Sequence, residues 1–143
     1  LKDKMVIRCD IDNFYDSISI PFLMEKVGAI VPDPFVLHII HLWLKSGSKS
    51  THNQYISNPE GMPQGSPISP LLSNLFLHEF DLLIKEKITS HFIRYSDDLI
   101  LVIDAKDYPI RILQMITDQL QQQFKLKLNS EFLILLKKHS QNT

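Results

Sequence analysis

Two short β-rich runs, Phe92–Tyr95 and residues 99–103, are separated only by Ser96-Asp97-Asp98. β-Branched, aromatic and apolar residues flanking so short a polar link specify a β-hairpin with acidic residues at its tip. This stretch is therefore committed to an antiparallel sheet. Residues 4–10 also mix β-branched and apolar types and end in acidic residues, which suits a buried strand that delivers carboxylates at its C-terminal end. Residues 126–129 offer a further strand.

Between these strands the periodicity becomes helical. Phe22, Leu23, Val27 and Ile30, then Val36, Ile39, Ile40, Leu42 and Trp43, predict two helices across residues 20–46, broken at Pro32-Asp33-Pro34. Residues 46–53 read as a loop and 54–57 as a short strand. Ser69 is expected to N-cap a helix whose first residue is Pro70, and Leu72, Leu75, Phe76, Phe80 and Leu83 predict one long, buried helix. Residues 108–124 return to helical spacing. The order strand, helices, helix, hairpin, helix, strand predicts an α+β fold of the split βαβ kind, a ferredoxin-like or RRM-like antiparallel sheet with helices packed on one face. Trp43 and the helical Phe residues are expected in the core, and His38 and His41 in solvent or core roles.

Composition limits what such a fold does. A length of 143 residues with 44% hydrophobic content supports one core, so a single domain over residues 1–143 is expected. Fifteen Lys+Arg against 16 Asp+Glu exclude a chain that holds nucleic acid by bulk positive charge, while permitting a locally positive groove. Cys9, the lone cysteine, excludes an internal disulfide framework and a multi-thiolate zinc site. No apolar run approaches the roughly 20 residues of a membrane-spanning helix. We expect a soluble, cytoplasmic chain with no membrane partner, and a first residue Leu1 rather than Met suggests a fragment of a longer one.

Asp97 and Asp98 repel each other unless a proton or cation intervenes. Asp10, Asp12 and Asp16 follow the first strand, and in a ferredoxin-like sheet the end of that strand lies beside the hairpin tip. Hard oxygen ligands from two neighbouring strands suit Mg²⁺, which keeps several waters and takes other ligands from substrate phosphates.

Three segments carry a resemblance: Asp10-Ile11-Asp12-Asn13-Phe14-Tyr15-Asp16, the stretch Gly61-Met62-Pro63-Gln64-Gly65-Ser66-Pro67-Ile68-Ser69-Pro70-Leu71-Leu72-Ser73-Asn74, and Arg94-Tyr95-Ser96-Asp97-Asp98. In order and separation they resemble motifs A, B and C of reverse transcriptases, most of all the bacterial group II intron and retron-like lineages. The resemblance implies a polymerase palm that transfers deoxynucleotides to a primer 3′-hydroxyl under the direction of an RNA template. It implies two Mg²⁺ ions, with Mn²⁺ as a substitute, held by Asp10, Asp97, Asp98 and the Ile11 carbonyl; Asp10, Asp97 and Asp98 are the implied catalytic set. Partners implied are an RNA template, a DNA or RNA primer and deoxynucleoside triphosphates.

By the same resemblance, Tyr15, five positions after Asp10, excludes a 2′-hydroxyl, and Gln64 and Gly65 contact the incoming nucleotide. Pro63, Ser66, Tyr95 and Ser96 are implied contacts of primer and template. Asp12 stands where relatives carry a basic residue and is left outside the metal set, and Asp16 is read as structural. The family pattern after motif C matches at Leu126, Leu128 and Asn129 but places Phe132 where a lysine is expected. The basic fingers segment before Asp10 and the thumb after Asn129 are not represented. Two other readings stay open: a truncated or degenerate remnant without activity, and a defence-type enzyme making untemplated or protein-primed DNA.

Overall fold

The computed structural model describes residues 4–46, 48–49, 55–56, 61–89, 91–104 and 106–137. In chain order the elements are β1 (Lys4–Ile11), α1 (Phe14–Ser17), α2 (Ile20–Gly28), α3 (Pro34–Lys45), β2 (Ser48–Lys49), β3 (Tyr55–Ile56), α4 (Ser69–Phe76), α5 (His78–Lys87), β4 (Phe92–Tyr95), β5 (Asp98–Asp104), α6 (Pro109–Gln119) and β6 (Leu128–Lys137); a π-helical turn, Leu120–Phe124, continues α6. These elements fall into two compact units, one within Leu1–Asp12 and Glu79–Thr143, the other within Asn13–His78. No helix among the described residues is long and apolar enough to cross a membrane.

The first unit is a four-stranded antiparallel sheet in the order β4-β5-β1-β6. Its elements run β1, α5, β4, β5, α6, β6, which is the βαββαβ order of the ferredoxin-like fold, with residues 13–78 inserted after the first strand. The α+β expectation is met. Alternation along β1 buries Met5, Ile7, Cys9 and Ile11, and β5 answers with Ile103, Leu101 and Leu99 opposite the first three. α5 contributes buried Phe80 and Ile84, and α6 with its π turn contributes Ile112, Leu113, Ile116, Leu120 and Phe124. Phe80 ties these layers together, edge-on to Phe92 of β4 at 6.4 Å and to Phe124 at 6.2 Å between ring centroids. The opposite face of β1 and β5 is polar at intervals: Lys4 pairs with Asp104 at 2.9 Å, and Arg8 with Asp98.

In the second unit Ser19 and Asp33 cap α2 and α3 by accepting hydrogen bonds from Phe22 N, and from Phe35 N and Val36 N. Phe22 meets Phe76 of α4 edge-on at 5.5 Å. β2 and β3 form a two-stranded ladder, with β2 inside the stretch expected to be loop. The remainder of residues 46–57, apart from Ser46, lies outside the described residues.

Four expectations are corrected. Ser69 is the first residue of α4 rather than its cap, because its hydroxyl donates to the Pro63 carbonyl at 2.6 Å instead of accepting from the first turn. The single long helix is two, interrupted at Leu77, whose ψ of 7° departs from helical geometry. Ser73 donates its hydroxyl back to the Pro70 carbonyl just before this break, the kind of contact that bends helices. The buried stripe accordingly uses Ile84 rather than Leu83. Trp43 and Phe35 are not core: α3 is apolar on both sides, and only Leu44 is fully buried, leaving Phe35 71% exposed and Trp43 39% exposed. Finally, the acidic link is tighter than its sequence suggests, since Asp98 opens β5 opposite Tyr95 and only Ser96-Asp97 form the turn.

Candidate active site

Strand register assembles the acidic end of the sheet. Asp10 and Asp98 are direct cross-strand partners at the last pair of the β1–β5 ladder. Their carboxylates share the polar face, an arrangement that is unfavourable without a countercharge. Arg8, two residues earlier on that face, supplies one: Nε donates to Asp98 Oδ1 at 3.1 Å and a terminal nitrogen to Oδ2 at 2.9 Å. The fork with Asp98, then its charge, holds the Arg8 guanidinium above its ordinary pKa.

The turn is fixed from both sides. Ser96 adopts a positive φ of 57°, and the Ile11 N–H donates to the Asp97 carbonyl at 3.1 Å, tying the hairpin tip to the end of β1. From below, Arg94 reaches back to the same turn. Its side chain is only 4% exposed; it forks onto Asp81 of α5 at 2.7 and 2.6 Å and donates to the Ser96 carbonyl at 2.9 Å. Arg94 and Asp81 are positioning residues that pattern reading missed. The signal was an arginine at an inward-facing position of β4, paired in register with buried Leu99.

β6 adds a second missed feature. Between the pairs Cys9–Phe132 and Ile11–Leu128 the register slips, so β6 carries two extra residues opposite Asp10. The bulge aims Asn129 at the acidic end: its amide donates to Asp10 Oδ2 at 3.4 Å, while its Oδ1 accepts from Glu131 N at 3.0 Å. An open cleft of about 560 Å³ results, lined by Arg8, Cys9, Asp10, Asp97, Asp98, Asn129 and Glu131. Cys9 faces away from water, and burial, followed by the charges of Asp10 and Asp98, pushes its thiol up to about 12. It is a packing residue rather than a nucleophile.

Oxygen donors of Asp10, Asp97 and Asp98 suit a hard divalent cation that retains its own waters. Among the described residues no three His, Cys, Asp or Glu side chains converge on one point, because Asp98 is turned to Arg8 and Asp10 accepts from Asn129. A cation at this end would compete with these two partners.

Tyr15, Pro63, Gln64, Gly65 and Ser66 lie in the second unit, and Tyr95 and Ser96 in the first. Tyr15 sits half-buried on α1, tilted against Phe14 at 5.3 Å, and its carbonyl accepts from Met62 N at 2.7 Å. Gly61 makes this contact possible: at φ 97° a β-carbon there would fall 2.6 Å from the Asp16 carbonyl oxygen. Pro63 is buried, Gln64 is exposed and donates to Asp16 Oδ2 at 3.4 Å, and Gly65 stands at φ 80° in open space. Ser66 Oγ is buried without a hydrogen-bond partner among the described residues. Tyr95, on β4, is 83% exposed.

A sheet that delivers two paired aspartates and an acidic turn to one end of its central strands is the palm architecture of template-directed polymerases. The family description reverse transcriptase (RNA-dependent DNA polymerase) matches residues 1–132, and the chain belongs to that family. Protein YkfC of Escherichia coli (strain K12) is 32% identical over 89 residues, covering 62% of this chain and 23% of that protein. The group II intron-encoded protein LtrA of Lactococcus lactis subsp. cremoris is 33% identical over 78 residues, covering 54% of this chain and 13% of LtrA. Among solved structures, apo telomerase from Candida tropicalis, truncated from its C-terminal domain, has the same fold with a TM-score of 0.70 at 15% identity, covering 99% of this chain and 32% of that one. The chain spans between 10% and 23% of the length of the curated relatives it matches.

Proposed function

We propose that this chain is the palm of an RNA-directed DNA polymerase, in which Asp10, Asp97 and Asp98 serve transfer of a deoxynucleotide to a primer 3′-hydroxyl. The observation that carries this reading is the cross-strand pairing of Asp10 with Asp98 beside the Asp97 turn, in a chain of the reverse transcriptase family. In the reaction the primer 3′-oxygen forms a bond to the α-phosphorus, the bond to pyrophosphate breaks, and the hydroxyl proton leaves to solvent. Asp10, Asp97, Asp98 and the Ile11 carbonyl would hold Mg²⁺, or Mn²⁺ in its place, which would supply activation of the hydroxyl and charge neutralisation on the leaving pyrophosphate.

The protein's own part is positioning. Arg94 and the Ile11 N–H hold the turn that carries Asp97, while Asn129 orients Asp10. Tyr15 is the proposed barrier to a 2′-hydroxyl, and Gln64 and Gly65 the proposed nucleotide contacts, with Pro63, Ser66, Tyr95 and Ser96 toward primer and template. The Met62 N–H bond to the Tyr15 carbonyl and the close approach of Gly61 to Asp16 support a fixed backbone for the residue that carries this ring. RNA template, primer and deoxynucleoside triphosphates are the partners this reading requires.

Primer extension by the protein as encoded, on an RNA template with deoxynucleotides and Mg²⁺, tests it. Asp97→Asn and Asp98→Asn are expected to abolish extension, and Tyr15→Ala to admit ribonucleotides. Extension unaffected by both aspartate changes would overturn the assignment; unchanged discrimination would remove Tyr15 from its role.

A further inference from the structure

A second concave site lies on the sheet unit, away from the acidic cleft. It sits where α5 ends and α6 begins, beyond the Asp104 end of β5; at about 3.4 Å per residue, β5 separates it by roughly 20 Å from Asp98. The cavity holds about 350 Å³. Lys87, Lys106 and Arg111 line it, against Asp107 as its single acidic residue. Ile112 and Met115 form an apolar floor, and Tyr108 lines it while remaining 77% exposed.

The charges here are uncommitted. Among the described residues, Lys87, Lys106 and Arg111 form no ion pair or side-chain hydrogen bond, whereas Lys4, Arg8 and Arg94 are each paired with an aspartate. In a chain of net charge -1, three unpaired cations around one cavity make a local positive field that the whole-chain balance conceals. Tyr108 precedes α6 with extended backbone, and its hydroxyl caps nothing. An exposed aromatic ring beside unpaired cations matches the stacking-plus-phosphate chemistry of single-stranded nucleic acid. The volume is at the small end of ligand sites, which run from about 300 Å³ upward, so it seats one nucleotide unit and not a duplex.

We propose that this cavity is an auxiliary binding site for single-stranded RNA, taking backbone phosphate on Lys87, Lys106 and Arg111 and stacking one base on Tyr108. The proposal rests on the polymerase reading only for RNA as the source of phosphate, and its test reads binding rather than synthesis.

The test is fluorescence anisotropy of a labelled oligouridylate with the protein as encoded, across a salt series. Replacing Lys87, Lys106 and Arg111 together by Gln is expected to weaken binding tenfold or more. It should also reduce the log–log salt slope by about 2, since each single-strand phosphate contact contributes roughly 0.7. Tyr108→Ala is expected to weaken binding at least fivefold with the salt slope unchanged, because stacking releases no counterions. All four side chains are exposed, so folding should survive; a photo-crosslink from a 4-thiouridine oligomer mapping to Tyr108 gives a readout in unaltered protein. Wild-type affinity and slope in the triple variant, or a crosslink that maps elsewhere, overturn the proposal. Displacement of the oligomer by equimolar inorganic phosphate or a nucleoside triphosphate would mark a free-phosphate site and overturn it too. Asp97→Asn protein should bind as wild type does, so loss of synthesis with retained binding separates the two claims.

Discussion

Removing Asp81 tests how the turn carrying Asp97 is held. Its carboxylate accepts two hydrogen bonds from Arg94, whose side chain is 4% exposed and which also donates to the Ser96 carbonyl. Breaking a buried pair from one side costs about 3–5 kcal/mol, because a charge stays buried without its partner. Asp81 itself is 22% exposed, so water can partly replace the lost carboxylate and the lower figure, about 3 kcal/mol, applies. Against a total of about 5–15 kcal/mol this is a large share, equivalent to a fall in Tm of roughly 10 °C in a chain this size. Urea unfolding followed by far-UV circular dichroism should therefore show Asp81→Ala strongly destabilised. The double change Asp81→Leu with Arg94→Met should recover most of the loss, since apolar replacement of a buried pair is close to neutral. Arg94→Lys should not substitute, because an ammonium cannot fork onto Asp81 and also reach Ser96. A loss below about 1 kcal/mol in Asp81→Ala, or a double variant no better than the single, would refute this account of the turn.

Other consequences can be measured separately. Gly61→Ala should cost at least about 2 kcal/mol, from positive φ plus the 2.6 Å approach to Asp16, while Gly65→Ala, with open space around it, should cost about 1 kcal/mol; paired urea titrations distinguish them. Cys9 should resist iodoacetamide at pH 8 until the protein unfolds. Its folded pKa of about 12 lies above the ordinary 9.0, so the unfolded chain ionises first and stability falls as pH rises from about 9 towards 12; Cys9→Ala should lessen that fall, and identical alkaline profiles would contradict it. Arg8→Gln should lower the Mg²⁺ concentration needed for half-maximal extension, because Arg8 holds Asp98 in the same place a cation would, and an unchanged Mg²⁺ requirement would argue against that competition.

The sheet was legible because residues 4–10 and 99–103 are short runs rich in β-branched and apolar residues that abut acidic ones, and the hairpin because its polar link is so short. The Asp10–Asp98 neighbourhood followed from that topology. What remained hidden depends on register and on side chains meeting across the fold. The two extra residues of β6 that aim Asn129 at Asp10 leave no periodic trace, since Leu128 and Asn129 read equally well as regular strand. Arg94 looked like one more charged strand residue, and its inward aim appears only once Asp81 of α5 is opposite. Helical periodicity runs straight through Leu77, where no glycine or proline marks the break. On α3 the apolar residues exceed what one buried stripe requires, so spacing alone could not tell the covered side, with Leu44, from the exposed side, with Phe35.

Asp10, Asp97 and Asp98 are proposed to make this end of the sheet a polymerase centre. Extension of a labelled primer on an RNA template, with Mg²⁺ and deoxynucleotides, tests this most directly when wild-type protein is compared with Asp97→Asn at matched stability. Templated extension by wild type and none by the variant, with folding intact, is expected; equal extension by both would contradict a catalytic role for this end of the sheet.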